Sequence, residues 1–224
     1  MQSVVISVGG SIIIPKALDV EFLIEFKKAI LDFVSKGNKI GIVAGGGNIC
    51  REYNLAASEV SQISEVDLDW MGIAATKLNA ELLRVIFGDA AYEKVINNPK
   101  LSVKSKKKIL IGSGWKPGCS SDRDAVLLAK TLGAKTLINM SNIDYAYDKD
   151  PRMFSDAKKI EKISWKDFLK ITGDKWVPGM HVPFDPEASK LAQKYKMKVI
   201  ILGKDTRNFS RALQELPCRG TEIY

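Results

Sequence analysis

Two short apolar runs, Val4-Val5-Ile6-Ser7-Val8 and Lys39-Ile40-Gly41-Ile42-Val43, each lead into a glycine cluster, Gly9-Gly10-Ser11 and Gly45-Gly46-Gly47. A β-branched run that ends in glycine reads as a buried strand and a tight turn. Ile109-Leu110-Ile111, Thr136-Leu137-Ile138 and Val199-Ile200-Ile201-Leu202 repeat the strand pattern down the chain. Between the first two runs the apolar period becomes helical: Phe22, Phe26, Ile30 and Phe33 follow Asp19, which suits an N-cap, and Gly37-Asn38 ends the pattern. Asp69 to Phe87, Asp122 to Leu132 with Gly133 as its stop, and Glu187 to Tyr195 after Asp185-Pro186 carry further helical patterns. This alternation predicts an α/β fold, a three-layer αβα sandwich around a mainly parallel central sheet.

Strand-to-loop glycine turns also point to phosphate. Glycine lets the backbone approach an anion closely and aim consecutive N–H groups at it, and a helix starting just afterwards adds its positive dipole end. Two such turns imply two phosphate groups. In doubly wound sheets ligands bind beyond the carboxyl ends of the strands, so the loops are expected to share one edge.

The 224 residues, 46% of them hydrophobic, suit a single domain with a sizeable core. Cys50, Cys119 and Cys218 are widely spaced and form no CxxC pair, which argues against a disulfide framework and against a zinc site. The opening MQSVVISVGG has no basic leader, and no apolar run approaches the roughly 20 residues of a membrane span; a cytoplasmic protein without a membrane partner is expected. The net charge of +8 is spread along the chain except at Lys104 to Lys108, and no aromatic residues interleave that run as a nucleic-acid platform requires. It reads as a solvated loop, and no nucleic-acid partner is expected.

Several nucleotide motifs are absent. Gly45-Gly46-Gly47-Asn48-Ile49-Cys50 lacks the third glycine of GxGxxG, no GxxxxGK[ST] match occurs, and no serine sits in GxSxG. His181 is the sole histidine and reads as a turn residue. Near Asn139 the composition shifts to an acidic, turn-rich group, Asn142-Ile143-Asp144, Asp148-Lys149-Asp150-Pro151 and Asp185-Pro186, which marks a change of lobe within one domain.

Together these residues resemble the amino acid kinase superfamily and, within it, the UMP kinases of bacterial and archaeal type. Val8-Gly9-Gly10-Ser11 is similar to the family's first glycine turn, and Gly45-Gly46-Gly47-Asn48-Ile49-Cys50-Arg51 looks like its GGGNxxR element. Asp69-Trp70-Met71-Gly72-Ile73-Ala74-Ala75-Thr76 resembles D-x-M-G-x-x-A-T, and Gly114 to Asp122 resembles G-x-x-P-G-x-S-T-D with Ser121 in place of threonine. Asn142 to Pro151 is similar to N-V-D-G-V-Y-x-x-D-P, and Pro178 to Asp185 resembles the segment ending in the family's aspartate at the transferred phosphoryl group.

The resemblance implies residues 1–138 as the acceptor lobe and 139–224 as the ATP lobe. It implies Gly45, Gly46, Gly47 and Arg51 on the UMP phosphate, Asp69 on the ribose hydroxyls, and Ser120 and Ser121 as further UMP contacts. Gly9, Gly10, Ser11, Asn142, Asp144, Tyr147 and Asp150 fall to ATP, which enters with magnesium. Asp185 and Gly10 fall at the transfer centre, with no dedicated protein metal site. Ser120 and Asp185 read equally well as helix N-caps, and the two roles are compatible. A homo-oligomer, a hexamer built as a trimer of dimers, is implied as well. Two departures stand out: Ser7 occupies the position of the superfamily's usual lysine, and Tyr145 that of a glycine. Lys16, Arg51 and magnesium are the alternatives for the missing positive charge. A different acceptor, or ligand binding without transfer, stays open beside UMP phosphorylation.

Overall fold

The computed structural model describes residues 2–173 and 182–224. In chain order the elements are β1 (Ser3–Val8), α1 (Gly10–Ile13), α2 (Val20–Ser35), β2 (Lys39–Ala44), α3 (Gly47–Val60), α4 (Glu65–Phe87), β3 (Ile109–Gly112), α5 (Ser121–Leu132) and β4 (Thr136–Met140). There follow β5 (Ala146–Tyr147), β6 (Lys159–Ile160), β7 (Lys162–Ile163), α6 (Trp165–Thr172), α7 (Pro186–Lys194), β8 (Lys198–Leu202), α8 (Thr206–Leu213) and β9 (Thr221–Ile223). A seven-stranded sheet runs in the order β3-β2-β1-β4-β8-β9-β7. Its pairs from β3 to β8 are parallel, and β9 runs antiparallel to β8.

Alternate residues of each strand feed opposite cores, as a pleat requires. Val4, Ile6 and Val8 of β1 join Phe22, Phe26, Leu83 and Phe209 on the face covered by α2, α4 and α8. Val5 joins Leu137, Val199, Ala125 and Phe168 on the face covered by α5, α6 and α7. Phe26 stacks between Phe22 and Phe209 at ring-centroid distances of 5.4 and 5.3 Å. This is the three-layer αβα sandwich that the apolar periodicity predicts.

Caps place the helices. Asp19 Oδ1 accepts from Phe22 N at 3.0 Å, Asp185 Oδ1 accepts from Ala188 N at 2.7 Å, and Gly133 ends α5 in the left-handed conformation at φ 68°. Helix α4 begins at Glu65, ahead of the predicted Asp69, because Ser64 caps it and Glu65 and Asp67 favour its positive end. Helix α3 has no counterpart in the periodicity: none of its residues is buried, so it carries no core-facing stripe to read. The Lys104 to Lys108 segment is an exposed loop, with Lys107 Nζ donating to the Asp89 carbonyl.

Candidate active site

Because β1, β2, β4 and β8 are parallel, their carboxyl ends lie along one edge, and the loops that follow them are tied together there. Gly9 N donates to Met140 O at 2.8 Å, Gly45 N to Val8 O at 2.9 Å and Ser141 N to Leu202 O at 3.0 Å. The two glycine turns meet backbone to backbone. A β-carbon on Gly10 would run into the Gly47 nitrogen, and one on Gly47, whose φ is +68°, into the Gly10 carbonyl. Helices α1 and α3 begin in these turns at Gly10 and Gly47 with no side chain capping either, so their N-terminal ends are brought together, a disposition suited to two neighbouring phosphates.

Around the second turn stand the residues assigned to the acceptor. Arg51 is exposed on α3 and is 3.4 Å from Asn48 Oδ1. Asp69 Oδ2 accepts from Gly118 N at 2.8 Å, which fastens the loop before α5 to α4 and leaves the second carboxylate oxygen for a ligand. Thr76 Oγ1 reinforces the same junction by accepting from Gly114 N at 2.8 Å. The Ser120 hydroxyl caps α5 by accepting from Arg123 N at 3.1 Å and also hydrogen-bonds Asp185; Ser121 is the first residue of that helix. Ser120 and Asp185, named from the sequence for the acceptor and the transfer centre, both serve as helix N-caps.

Asp122 is the site residue that sequence reasoning missed. Its Oδ1 accepts from the Ser7 hydroxyl at 2.8 Å and from Asn139 Nδ2 at 3.3 Å, and its Oδ2 accepts from Asp185 N at 3.3 Å. Ser7 and Asn139 are register partners on β1 and β4 and share the face toward α5, so the pleat aims both at one carboxylate. Burial pushes the Asp122 carboxyl up to about 6 and the nearby Asp185 charge adds to this, against the pull of the Ser7 and Asp185 hydrogen bonds. Asp185 is also raised, chiefly by burial, despite its bond from Ala188 N. The position of the superfamily's lysine is thus filled by a hydroxyl already engaged with Asp122, while Lys16 and Arg51 are both exposed, Lys16 in the loop after α1.

The ATP assignments gather at the β4 end of the edge. Asn142 is exposed beside the first glycine turn, and the Asp144 carboxylate packs so closely on Gly203, after β8, that a β-carbon there would strike it. Tyr147 lies on β5, paired with Lys159, and Asp150 grips Arg152 at 2.8 Å. Tyr145, at the family's glycine position, does not adopt a glycine-type backbone: among the described residues the non-glycine residues with positive φ are Lys196 and Glu215, and the Lys159 ammonium lies 4.9 Å from the Tyr145 ring centroid. Among the described residues no group of three or more His, Cys, Asp or Glu side chains is arranged to hold a metal. Pro178, Gly179, Met180 and His181 lie outside the described residues.

Comparison with known proteins agrees with this geometry. The model of the amino acid kinase family matches residues 2–203. A uridylate kinase of Pyrococcus abyssi is 35% identical over 204 residues, 90% of each chain, and one of Methanobrevibacter smithii is 33% identical over 216 residues, 95% of each. The crystal structure of uridylate kinase from Archaeoglobus fulgidus superposes with a TM-score of 0.86 at 31% identity, covering 100% of both chains. UMP kinase from Bacillus anthracis, at 21% identity and a TM-score of 0.80, has the same fold over 99% of this chain and 95% of its own. On the family match and these relatives, the chain belongs to the amino acid kinase family.

Proposed function

We propose that this protein is a UMP kinase, transferring the γ-phosphoryl group of ATP to UMP to give UDP, in the cytoplasm and in pyrimidine nucleotide synthesis. The observation that carries the reading is the backbone-to-backbone meeting of the two glycine turns, in a chain whose relatives are uridylate kinases. Gly9, Gly10 and Ser11 cradle the ATP triphosphate, while Asn142, Asp144, Tyr147 and Asp150 hold its nucleoside end in the 139–224 lobe. Gly45, Gly46, Gly47 and Arg51 hold the UMP phosphate, Asp69 the ribose, and Ser120 and Ser121 the rest of the acceptor in the 1–138 lobe.

Phosphoryl transfer of this kind gains its rate from positioning and charge neutralisation, because a loose, metaphosphate-like transition state needs little covalent help. The acceptor oxygen attacks in line across the contact between Gly10 and Gly47. Magnesium, entering with ATP, would supply charge neutralisation on the transferred phosphate, and as a hard, reluctantly dehydrated ion it would need no dedicated protein site. Asp122 and Asp185, joined through the Asp185 N–H, orient the transfer centre from the α5 side.

The decisive assay is ADP release from MgATP with UMP, CMP, dUMP and isopentenyl phosphate offered separately. UMP alone is expected to give a strong signal, lost in Asp185→Asn; preference for another acceptor, or nucleotide binding without turnover, would overturn the reading. Arg51→Ala is expected to raise the KM for UMP by about tenfold or more and to leave that for ATP unchanged, since one charged fork on phosphate is removed. Parallel changes in both constants would place Arg51 elsewhere.

The assembly is proposed to be a homo-oligomer, a hexamer arranged as a trimer of dimers. Helix α3, with no buried residue, packs on α4, and the pair exposes Tyr53, Leu55, Trp70, Leu78 and Val85. A large apolar surface of this kind is normally covered by a partner. Light scattering is expected to give six chains, and Leu55→Glu with Leu78→Glu a smaller species.

A further inference from the structure

Asn79 stands on the buried stripe of α4 formed by Thr76, Ala80, Leu83 and Phe87, and it is 1% exposed. A primary amide among such neighbours must find partners, since an unsatisfied buried polar group is costly. Its Nδ2 donates to Gly45 O at 2.7 Å and to Gly46 O at 3.2 Å, across 34 and 33 residues of sequence. Both bonds go to backbone carbonyls of the second glycine turn, and neither belongs to a helix or strand ladder.

The direction of these bonds has a consequence for the opposite side of each peptide. In a trans peptide the C=O and the following N–H point in opposite directions. Drawing the Gly45 and Gly46 carbonyls toward α4 therefore turns the N–H groups of Gly46 and Gly47 away from it. Glycine supplies no side chain to hold the Gly45–Gly46 peptide plane, whereas the Gly46 carbonyl, as the N-cap of α3, is also tied to the first turn of that helix. Gly45 is fixed from the other side by its own N–H bond to Val8 O at 2.9 Å. We infer that Asn79 is a positioning residue for the acceptor's phosphate: by holding the two carbonyls it sets the aim of the amides that receive the anion, an assignment that takes the UMP kinase reading as given.

The role is separable from ordinary packing because it concerns only the phosphate. The parent chain is first assayed with UMP, CMP and isopentenyl phosphate; a preference for one of the others would overturn the UMP reading while leaving Asn79 to be tested on that acceptor. Asn79→Ala and Asn79→Asp are then compared with the parent for KM of UMP, KM of ATP, and inhibition by uridine, which presents the same base and ribose without the phosphate. Asn79→Asp keeps the shape but replaces the donor with a carboxylate that repels both carbonyls. Should the alanine variant not fold, Asn79→Ser, which keeps a hydroxyl donor, takes its place and is expected to lose less. The KM for UMP is expected to rise by about tenfold or more, the worth of a lost hydrogen-bond pair to a charged ligand's cradle, with uridine inhibition and the KM for ATP unchanged. Loss of uridine and UMP affinity in parallel would mean that Asn79 merely supports the fold, and an unchanged KM for UMP would overturn the assignment outright.

Discussion

Alanine at Gly10 is expected to lower kcat by about 100-fold or more, because displacement of the reacting groups by about an ångström is enough to cost that much. The added methyl would collide with the Gly47 nitrogen, the Gly47 α-carbon and the Gly45 carbonyl, all of them backbone atoms that no rotamer change can move aside. The same substitution at Gly47 adds a conformational penalty, since its φ of +68° disfavours any residue with a β-carbon. Gly37→Ala provides the control: its φ is +90° but nothing lies within 4 Å of the added atom, so it should lower the melting temperature and leave kcat intact. Circular dichroism on all three variants, beside steady-state ADP release, separates the outcomes. Full turnover by Gly10→Ala would show that the two turns do not define the distance between donor and acceptor.

Asp122→Asn should be nearly inactive, with kcat reduced by about two orders of magnitude or more, as expected when a group that orients charge at a transfer centre is lost. In the parent the acid limb of kcat should fall near pH 6. Below it Asp122, pushed up to about 6, takes a proton and no longer accepts from Ser7, Asn139 and Asp185 N together. Ser7→Ala removes a bond that favours the ionised form, so it should move that limb to higher pH. Stability runs the other way. The folded carboxyl holds its proton at a pH where the unfolded one, near 3.8, has released it, so this group's contribution to stability is complete below about pH 4 and is lost as pH rises through 6. Asp122→Asn should thus be inactive yet melt no lower than the parent at pH 7. An active variant, or a kcat profile flat from pH 5 to 8, would remove Asp122 from the transfer centre.

What could be read in the sequence was local. Strand β1 and its glycine turn, the Asp19 cap, and the stop at Gly133 each depend on neighbours within a few residues, and each occupies its expected place. Asp122 was hidden because its partners Ser7 and Asp185 lie 115 and 63 residues away, and only the β1–β4 register aligns Ser7 with Asn139. Asn79 left a fainter trace, a polar residue at helical spacing within an apolar stripe, which periodicity alone treats as noise. Helix α3 differs again: none of its side chains is buried, and apolar residues such as Tyr53 and Leu55 face out of this chain rather than into its core. Tyr145 shows the limit of reading by motif, since a glycine position in a family pattern does not require a glycine's backbone here.

Strands β1 and β2 are paired in parallel over six residues, from Ser3 opposite Lys39 to Val8 opposite Ala44. The spacing between the two glycine turns is therefore a property of sheet register, copied from six backbone pairs to the edge where we place the transfer. A slip of one residue would shift one cradle by about 3.3 Å along the strand and exchange the two faces of β1, so no small slippage exists that the molecule could sample. Closure over a substrate can change what covers the phosphates, but the gap they must cross is built in at folding, before either nucleotide arrives.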